Sequence, residues 1–390
     1  MQRICFVVDS IFSIGGVQRV TAVIAKELAK DYDVSIVTFD KKEQMDTSLY
    51  GLQEATITYR FFSYPPIGKL KKYFCKAYSA CYLKLQPTSK WCSDLYAHSS
   101  YPSELRNALL SELQQGKYDV IIGVHAPIAA RLATLKKQLP DTKLIGWIHN
   151  SFEALFGEDS HYFIGSLRKR HYVYQFKKLS NVILLCEHDA KSYYDYDPEF
   201  TPTVIYNPLT LKPGSVSLGT SKRFLAVGRF SHKHKGFDLL IKAFYLFSKK
   251  NRNWQLDIVG EGPEEELYRS LIKEYNLVKQ VIIHPFTNNV QTFYSNAQVY
   301  ILSSRWEGFG LVLVEAMAHG LPIISSDLPT SQEIMGDFGM YFKNGNIEDL
   351  AQRLEDATQI DWQEKSKEAI AIAQRFDIDN IIKQWHKLIE

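Results

Sequence analysis

Short apolar runs alternate with amphipathic stretches along the whole chain, and the alternation restarts once. The first run, Arg3-Ile4-Cys5-Phe6-Val7-Val8-Asp9, is almost continuously apolar, as a strand buried on both faces would be. A loop containing Gly15-Gly16 follows it. Val17, Val20, Val23, Ile24 and Leu28 then recur at helical spacing. Further strands are predicted over 34–39, 56–59, 120–124, 144–148, 182–185 and 204–206. A Ser/Thr-, Pro- and Gly-bearing run from Asn207-Pro208 through Pro213 and Gly214 to Gly219 reads as an interdomain linker. The pattern then restarts at 224–230, with strands over 256–259, 281–283, 299–302 and 322–324 and, after Met340-Tyr341-Phe342, helices over 347–357 and 361–374. A last helix, 378–389, carries Ile381, Ile382, Trp385, Leu388 and Ile389 as its apolar stripe. Strands alternating with helices imply parallel sheets covered on both faces. The fold class is therefore α/β, with two parallel-sheet domains over 1–206 and 207–375.

One stretch concentrates the candidate chemistry. The apolar run 299–302 leads into Ser303-Ser304-Arg305-Trp306-Glu307-Gly308-Phe309-Gly310, and a helix is predicted from Leu311 to His319, closed by Gly320 and Pro322. A strand, a glycine loop and a helix start together aim backbone N–H groups and the positive end of a helix dipole at whatever occupies the loop. Glu307 stands at the strand's C-terminal end, where open α/β sheets bind ligands, and Glu315 lies within an otherwise apolar helix. Two acids beside an anion site call for a ligand with both negative oxygens and hydroxyl groups. A nucleotide sugar has both. Taken alone, an acid in a helix and a single glycine loop also fit a solvated face and a simple turn.

The whole-chain quantities narrow the class. At 390 residues the chain suits two domains of nearly equal size, and 45% hydrophobic with 23% charged residues is a globular composition. A net charge of +3 gives no reason to expect nucleic acid as a partner. The five cysteines form no C-x-x-C pair, and Cys5 and Cys186 sit in apolar runs, as reduced core thiols of a cytoplasmic protein do. The chain opens at once on a strand, leaving no room for a signal peptide, and no run approaches a membrane span.

Other positions carry weaker signals. His125 and His149 each follow a strand, where a lone histidine is more often structural than functional, and His125 reads as a structural or supporting residue. Arg229 stands at the C-terminal end of the strand read over 224–230, and Lys235-Gly236 precedes a helix with Phe237, Leu239, Leu240, Ala243, Phe244 and Phe247. An Arg fork and a Lys point charge so placed can clamp a diphosphate, although a solvated basic loop looks the same. His232 and His234 lack acidic or Cys neighbours and make poor metal ligands. Gly15-Gly16 lacks the third spaced glycine of a dinucleotide fingerprint, and Gly260-Glu261-Gly262-Pro263 breaks after its second, which counts against a nicotinamide cofactor. Over 69–84, Leu70, Phe74, Ala77, Cys81 and Leu85 share a helical face among lysines and tyrosines. Such a helix fits packing on a core, and it also fits the surface of an anionic membrane. A second basic cluster, Arg168-Lys169-Arg170-His171 with Lys177-Lys178, lies in the same domain.

Read together, G-G-V-Q-R-V, V-G-R-F, K-G-F-D-L-L-I-K-A-F, I-V-G-E-G-P and S-S-R-W-E-G-F-G-L-V-L-V-E-A-M-A-H-G-L-P-I-I-S-S-D occur in an order and spacing that resemble family 4 glycosyltransferases, including those of bacterial cell-surface polysaccharides. The resemblance spans the chain and is strongest in the C-terminal half, while residues 40–115 match no motif. It implies the GT-B fold: two Rossmann-like domains facing across a cleft that closes over the substrate, with the last helix, about 376–390, returning to the N-terminal domain. It implies that Arg229 and Lys235 neutralise the donor diphosphate with the backbone of Gly15, Gly16, Gly260 and Phe309-Gly310-Leu311. Glu315 would hold the ribose hydroxyls, Glu307 the transferred sugar, and His149, in Ile148-His149-Asn150, would reach that sugar from the other domain.

The implied reaction moves a hexose from a nucleoside-diphosphate sugar, a UDP-sugar above others, to a glycan or lipid-linked saccharide, with retention. No metal and no cofactor is expected beyond the donor itself. Peripheral contact with the inner face of an anionic plasma membrane would suit such an acceptor. An inverting transferase using Glu153, Glu158 or Asp159 as base, a sugar-nucleotide 2-epimerase, a pyridoxal-phosphate phosphorylase and an inactive scaffold subunit remain as alternatives.

Overall fold

The computed structural model describes residues 1–157, 164–211, 214–230 and 234–390. They divide into two compact units, Met1–Tyr206 with Ile382–Glu390, and Asn207–Ile381. The strands of the first are β1 (Arg3–Val8), β2 (Asp33–Thr38), β3 (Ile57–Phe61), β4 (Val120–Val124), β5 (Lys143–Trp147), β6 (Asn181–Leu184) and β7 (Thr203–Val204). Those of the second are β8 (Arg223–Val227), β9 (Gln255–Val259), β10 (Val281–His284), β11 (Val299–Leu302), β12 (Ile323–Ser326) and β13 (Met340–Phe342).

The first sheet runs β3-β2-β1-β4-β5-β6-β7 and the second β10-β9-β8-β11-β12-β13. Every pairing is parallel; Ile4, for example, faces Val34 on one side and Val120 on the other. The uninterrupted apolar runs follow from this topology. A central parallel strand has helices on both faces, so both sets of side chains are buried. The order turns at β1/β4 in one sheet and at β8/β11 in the other. Loops leaving the carboxyl ends of strands at such a reversal diverge and leave a crevice. Those loops carry Gly15-Gly16 and His125 in the first unit, and Arg229, Lys235 and Glu307 in the second.

The last helix, Ile378–Ile389, joins the first unit from Ile382 onward. Trp385 is fully buried, edge-on to Trp147 at 4.7 Å, and Lys143 Nζ donates to the Ile389 carbonyl at 3.4 Å. The crossing point falls later than 376. Phe376 packs against Phe309 at 5.7 Å, and its carbonyl accepts the Leu209 N–H at 2.8 Å, which ties this segment to the second unit.

Residues 40–115 add the helices Lys69–Leu85, Lys90–Ser100 and Ser103–Gly116. The apolar stripe of the first of these faces outward: Leu70, Phe74 and Leu85 are exposed, while Tyr82, off the stripe, is the buried side chain of the helix. Tyr82 stacks on Tyr96 at 4.3 Å and Ser93 Oγ lies 2.9 Å from His171 Nδ1, so the helix pair is held by its tyrosine face. The reading in which the stripe covers an ordinary core is therefore corrected. The second basic cluster is largely used internally. Arg168 donates to Tyr96 and the Ile164 carbonyl, Lys177 pairs with Asp197 and Glu199, Lys178 with Asp94, and His171 is buried. Among the described residues no helix is long and apolar enough to cross a membrane.

Candidate active site

In the second unit the loops after β8 and β11 are laced together by backbone. Gly236 stands at φ +63, and a Cβ there would lie 2.0 Å from the Ser303 carbonyl oxygen, so only glycine admits the contact. Ser303 Oγ donates back to the Lys235 carbonyl at 2.7 Å, and the Arg305 N–H to the His234 carbonyl at 2.8 Å. Arg305 also forks onto Asp238, at 2.9 and 2.8 Å, in the first turn of the helix Phe237–Ser248. With the frame fixed, Lys235 Nζ meets Glu307 Oε1 at 2.6 Å, and Ser304 Oγ donates to the same oxygen at 2.6 Å. Glu307 is 8% exposed. Burial alone would raise its carboxyl, but the Lys235 ammonium, His234 and the hydrogen bonds from Lys235 and Ser304 outweigh it and hold the group below the usual carboxylate range. His234 itself stacks on Trp306 at 4.7 Å with its Nε2 2.6 Å from the Trp306 carbonyl.

Gly310, at φ +81, caps the helix Leu311–Ala318 with no side-chain hydrogen bond. Phe309 is buried, its ring packed against Phe376 at 5.7 Å. Glu315, one turn further along, is 2% exposed and takes the Tyr294 hydroxyl at 3.0 Å and the Thr210 hydroxyl at 3.4 Å. His319 braces the same turn. The Gly214 N–H donates to its Nε2 at 3.2 Å, so its Nδ1–H is the donor to the Glu315 carbonyl at 2.7 Å. Thr210, Tyr294, Ser304 and His319 were not foreseen. Two of them stand close in sequence to the acid they serve: Ser304, three residues before Glu307, and His319, four residues after Glu315.

Arg229 is exposed at the end of β8, and no ion pair to it is found among the described residues. Gly260 has a packing reason for being glycine: a Cβ would lie 1.9 Å from the Gly228 carbonyl oxygen. It brings the ends of β8 and β9 together whether or not its backbone meets a ligand. His232, Glu158, Asp159 and Pro213 lie outside the described residues.

In the first unit His149 follows β5 and is 7% exposed, with Trp147 at 4.3 Å and His125 at 5.4 Å. Burial, with the neighbouring His125, drives its pKa well below the ordinary value, so the ring is neutral. Its Nε2 has no hydrogen-bond partner among the described residues. His125 sits at φ +77 as the cap of the helix Ala126–Ala133, and burial lowers its pKa also. Gly15 and Gly16 begin the helix Gly16–Leu28, and the Gly15 N–H donates to the Tyr50 hydroxyl at 2.8 Å. Tyr50 in turn donates toward the Ser13 and Gly15 carbonyls, bracing the diglycine loop from a segment the sequence left unassigned. Glu153 is exposed beyond His149, in the helix Phe152–Phe156. Among the described residues no group of three or more His, Cys, Asp or Glu is placed to hold a metal ion.

The family model for Glycosyltransferase Family 4 matches residues 14–212, and that for Glycosyl transferases group 1 matches 209–376. An uncharacterized glycosyltransferase of Haemophilus influenzae is 28% identical over 402 residues, covering 100% of both chains. The lipopolysaccharide 1,6-galactosyltransferase of Salmonella typhimurium is 30% identical over 162 residues, 39% of this chain and 45% of that protein. HepE of Anabaena, solved in complex with UDP-glucose, has the same fold with a TM-score of 0.75 at 20% identity, covering 100% of this chain and 99% of that one. The chain is a glycosyltransferase with the GT-B fold, and it belongs to glycosyltransferase family 4.

Proposed function

We propose that the chain transfers a hexose from a nucleoside-diphosphate sugar, a UDP-sugar in the first place, to a glycan or lipid-linked saccharide in cell-surface polysaccharide or glycolipid synthesis. The observation that carries this reading is the joined pair Lys235–Glu307, at 2.6 Å, at the β8/β11 reversal, with Glu315 one helix turn beyond the glycine loop. Lysine has three N–H donors, and Glu307 takes one at this distance. The same ammonium therefore serves a diphosphate while it orients the carboxylate that receives sugar hydroxyls. The UDP-glucose complex of HepE and the galactosyltransferase name of the Salmonella relative support a UDP-hexose.

In this reading the bond from the anomeric carbon to the diphosphate oxygen breaks, and the diphosphate leaves with the electron pair. Arg229, Lys235 and the helix start at Leu311 stabilise the charge it gains. The acceptor hydroxyl oxygen bonds to the anomeric carbon on the face the diphosphate leaves, and its proton passes to the departing phosphate oxygen. The outcome is retention. Glu315 holds the ribose, Glu307 the transferred sugar, and the neutral His149 offers its Nε2 to that sugar.

The experiment is a panel of nucleotide sugars scored by thermal stabilisation. A donor at a hundredfold excess over its Kd adds about 2.7 kcal/mol. Transfer from the best donor to saccharide acceptors then follows, with the anomeric configuration of the product read by NMR. A product made from the donor with no acceptor present would replace this reading with epimerisation. An inverted product would make Glu153 the first base to test.

A further inference from the structure

We infer that the outward face of the helix pair Lys69–Leu85 and Lys90–Ser100 docks the protein on an anionic lipid surface by inserting apolar side chains among lysines. This concerns a part of the molecule remote in sequence from the residues assigned to transfer, and it does not depend on the donor assigned above.

The observation is an inversion of the usual amphipathic arrangement. Leu70, Tyr73, Phe74 and Leu85 are 71%, 68%, 62% and 76% exposed, and Trp91 on the neighbouring helix is 69% exposed. Side chains of this size contribute about 1.5–3 kcal/mol each when withdrawn from water, and here Leu70, Phe74 and Leu85 share one face of their helix and stay wet, with the Tyr73 ring beside Phe74 at 5.9 Å. The polar-tipped side of the pair is what packs inward, through the Tyr82–Tyr96 stack and the Ser93–His171 contact. The platform is thus anchored by its tyrosines and serines while its leucines, phenylalanine and tryptophan point away.

Charge selects the occupant. No Asp or Glu occurs from residue 55 to residue 93, while Lys69, Lys71, Lys72, Lys76, Lys84 and Lys90 do. Among the described residues Lys71 is spent on Glu104 at 2.6 Å, while Lys69, Lys72, Lys76, Lys84 and Lys90 are exposed and no ion pair to them is found. Lys69, Lys72 and Lys76 follow one another at helical spacing along an edge of the apolar face. A second copy of the chain across a two-fold axis would set these lysines against their own images. A soluble polyanion would satisfy the lysines and leave the apolar side chains in water. An anionic bilayer takes both, with the lysines at the headgroups, Tyr73 and Trp91 at the interface, and Leu70, Phe74 and Leu85 at the acyl boundary.

The test is co-sedimentation of the full chain, without donor or acceptor, with vesicles of phosphatidylcholine alone or mixed equally with phosphatidylglycerol. Two variants are compared with wild type: Leu70→Ser/Phe74→Ser/Trp91→Ser, and Lys69→Glu/Lys72→Glu/Lys76→Glu. All six positions are at the surface, so neither variant opens a core, and unchanged circular dichroism verifies the fold. Wild type is expected to sediment with the anionic vesicles only. The lysine variant should lose about 10²-fold or more in partitioning and the serine variant about tenfold or more. In about 1 M salt, where the screening length is roughly 3 Å, wild type should keep a residual partition that the serine variant lacks. Equal, weak sedimentation of all three proteins overturns the inference. So does a wild-type dimer in solution that the serine variant abolishes without any vesicle binding, which would make the face an interface between copies. Transfer to a water-soluble acceptor should be the same in wild type and both variants. Its loss in all three would count against the proposed reaction and leave the docking result standing.

Discussion

Lys235 Nζ and Glu307 Oε1 are hydrogen-bonded at 2.6 Å, so the cation assigned to the diphosphate and the acid assigned to the sugar form one unit. Both are largely buried, with side chains 14% and 8% exposed. Removing one partner of such a pair leaves the other charge uncompensated, and this costs about 3 kcal/mol or more. Lys235→Met or Glu307→Gln alone should therefore lower stability to chemical denaturant as well as activity. The double variant should regain most of the stability and none of the activity. A double variant that transfers sugar normally would reduce the pair to a structural contact.

Glu315→Ala and Glu307→Ala should each cut kcat/KM by about 10²-fold or more, roughly 3 kcal/mol of transition-state contact. Glu315 differs from Glu307 in its partners, since the Tyr294 and Thr210 hydroxyls are neutral donors that can turn elsewhere. Glu315→Gln keeps both hydrogen bonds available and should be the less damaging change for stability while still weakening donor binding. Isothermal titration with UDP measures that loss. Unaltered UDP affinity in Glu315→Gln and in Glu315→Ala would remove Glu315 from the ribose.

A chelator should leave transfer largely intact, because Arg229, Lys235 and the helix start at Leu311 offer the diphosphate positive charge without an ion. Lys235→Ala should then weaken UDP binding as well as turnover, since the diphosphate is common to both states. Complete loss of activity in EDTA, restored by Mg²⁺ or Mn²⁺, would show that these groups do not suffice.

His149 is a test of function against stability. Its Nε2 is buried without a partner among the described residues, and a buried polar atom of this kind costs about 1–3 kcal/mol. His149→Phe keeps a ring beside Trp147 and removes the unsatisfied nitrogen, so the melting temperature should hold or rise while kcat/KM falls about 10²-fold. A variant that loses stability and keeps its turnover would make His149 an ordinary core residue.

The fold and the positions of the assigned residues were legible in the sequence because parallel strands write themselves as apolar runs. Each of Arg229, Glu307 and His149 follows such a run at its carboxyl end. Their partners were not legible, because they are set by tertiary folding. Tyr294 and Thr210 reach Glu315 across separations of 21 and 105 residues. Helical periodicity gathered Leu70, Phe74, Ala77, Cys81 and Leu85 on one face, but periodicity says which side chains share a face and not what covers it. Here Tyr82 and Tyr78, off that stripe, find Tyr96 and the Cys92 carbonyl, and the stripe is left to solvent.

The last prediction concerns the anchor of that helix pair. His171 is 4% exposed, and burial, aided by the charge of Lys178, lowers its imidazole from the ordinary 6.5 to about 4. Between these values the unfolded chain takes up a proton that the folded state refuses. Stability should therefore be complete above about pH 6.5, fall as the pH drops toward 4, and level off below, with a total loss of roughly 3 kcal/mol. Asp189 acts in the opposite sense over a similar range. Burial raises it to about 6, so the folded state holds a proton that the unfolded chain has released, and stability falls there as pH rises. The two slopes mask each other in the wild type alone. The informative quantity is the difference between wild type and His171→Gln, in which Asp189 is common to both and the glutamine retains a polar atom toward Ser93 Oγ. Urea denaturation at intervals between pH 4 and 8 should give a constant difference above pH 7 and a growing deficit of the wild type below 6.5. Parallel curves across the range would mean that the folded protein protonates His171 as readily as the unfolded chain does, and that the joint beneath the helix pair is wet.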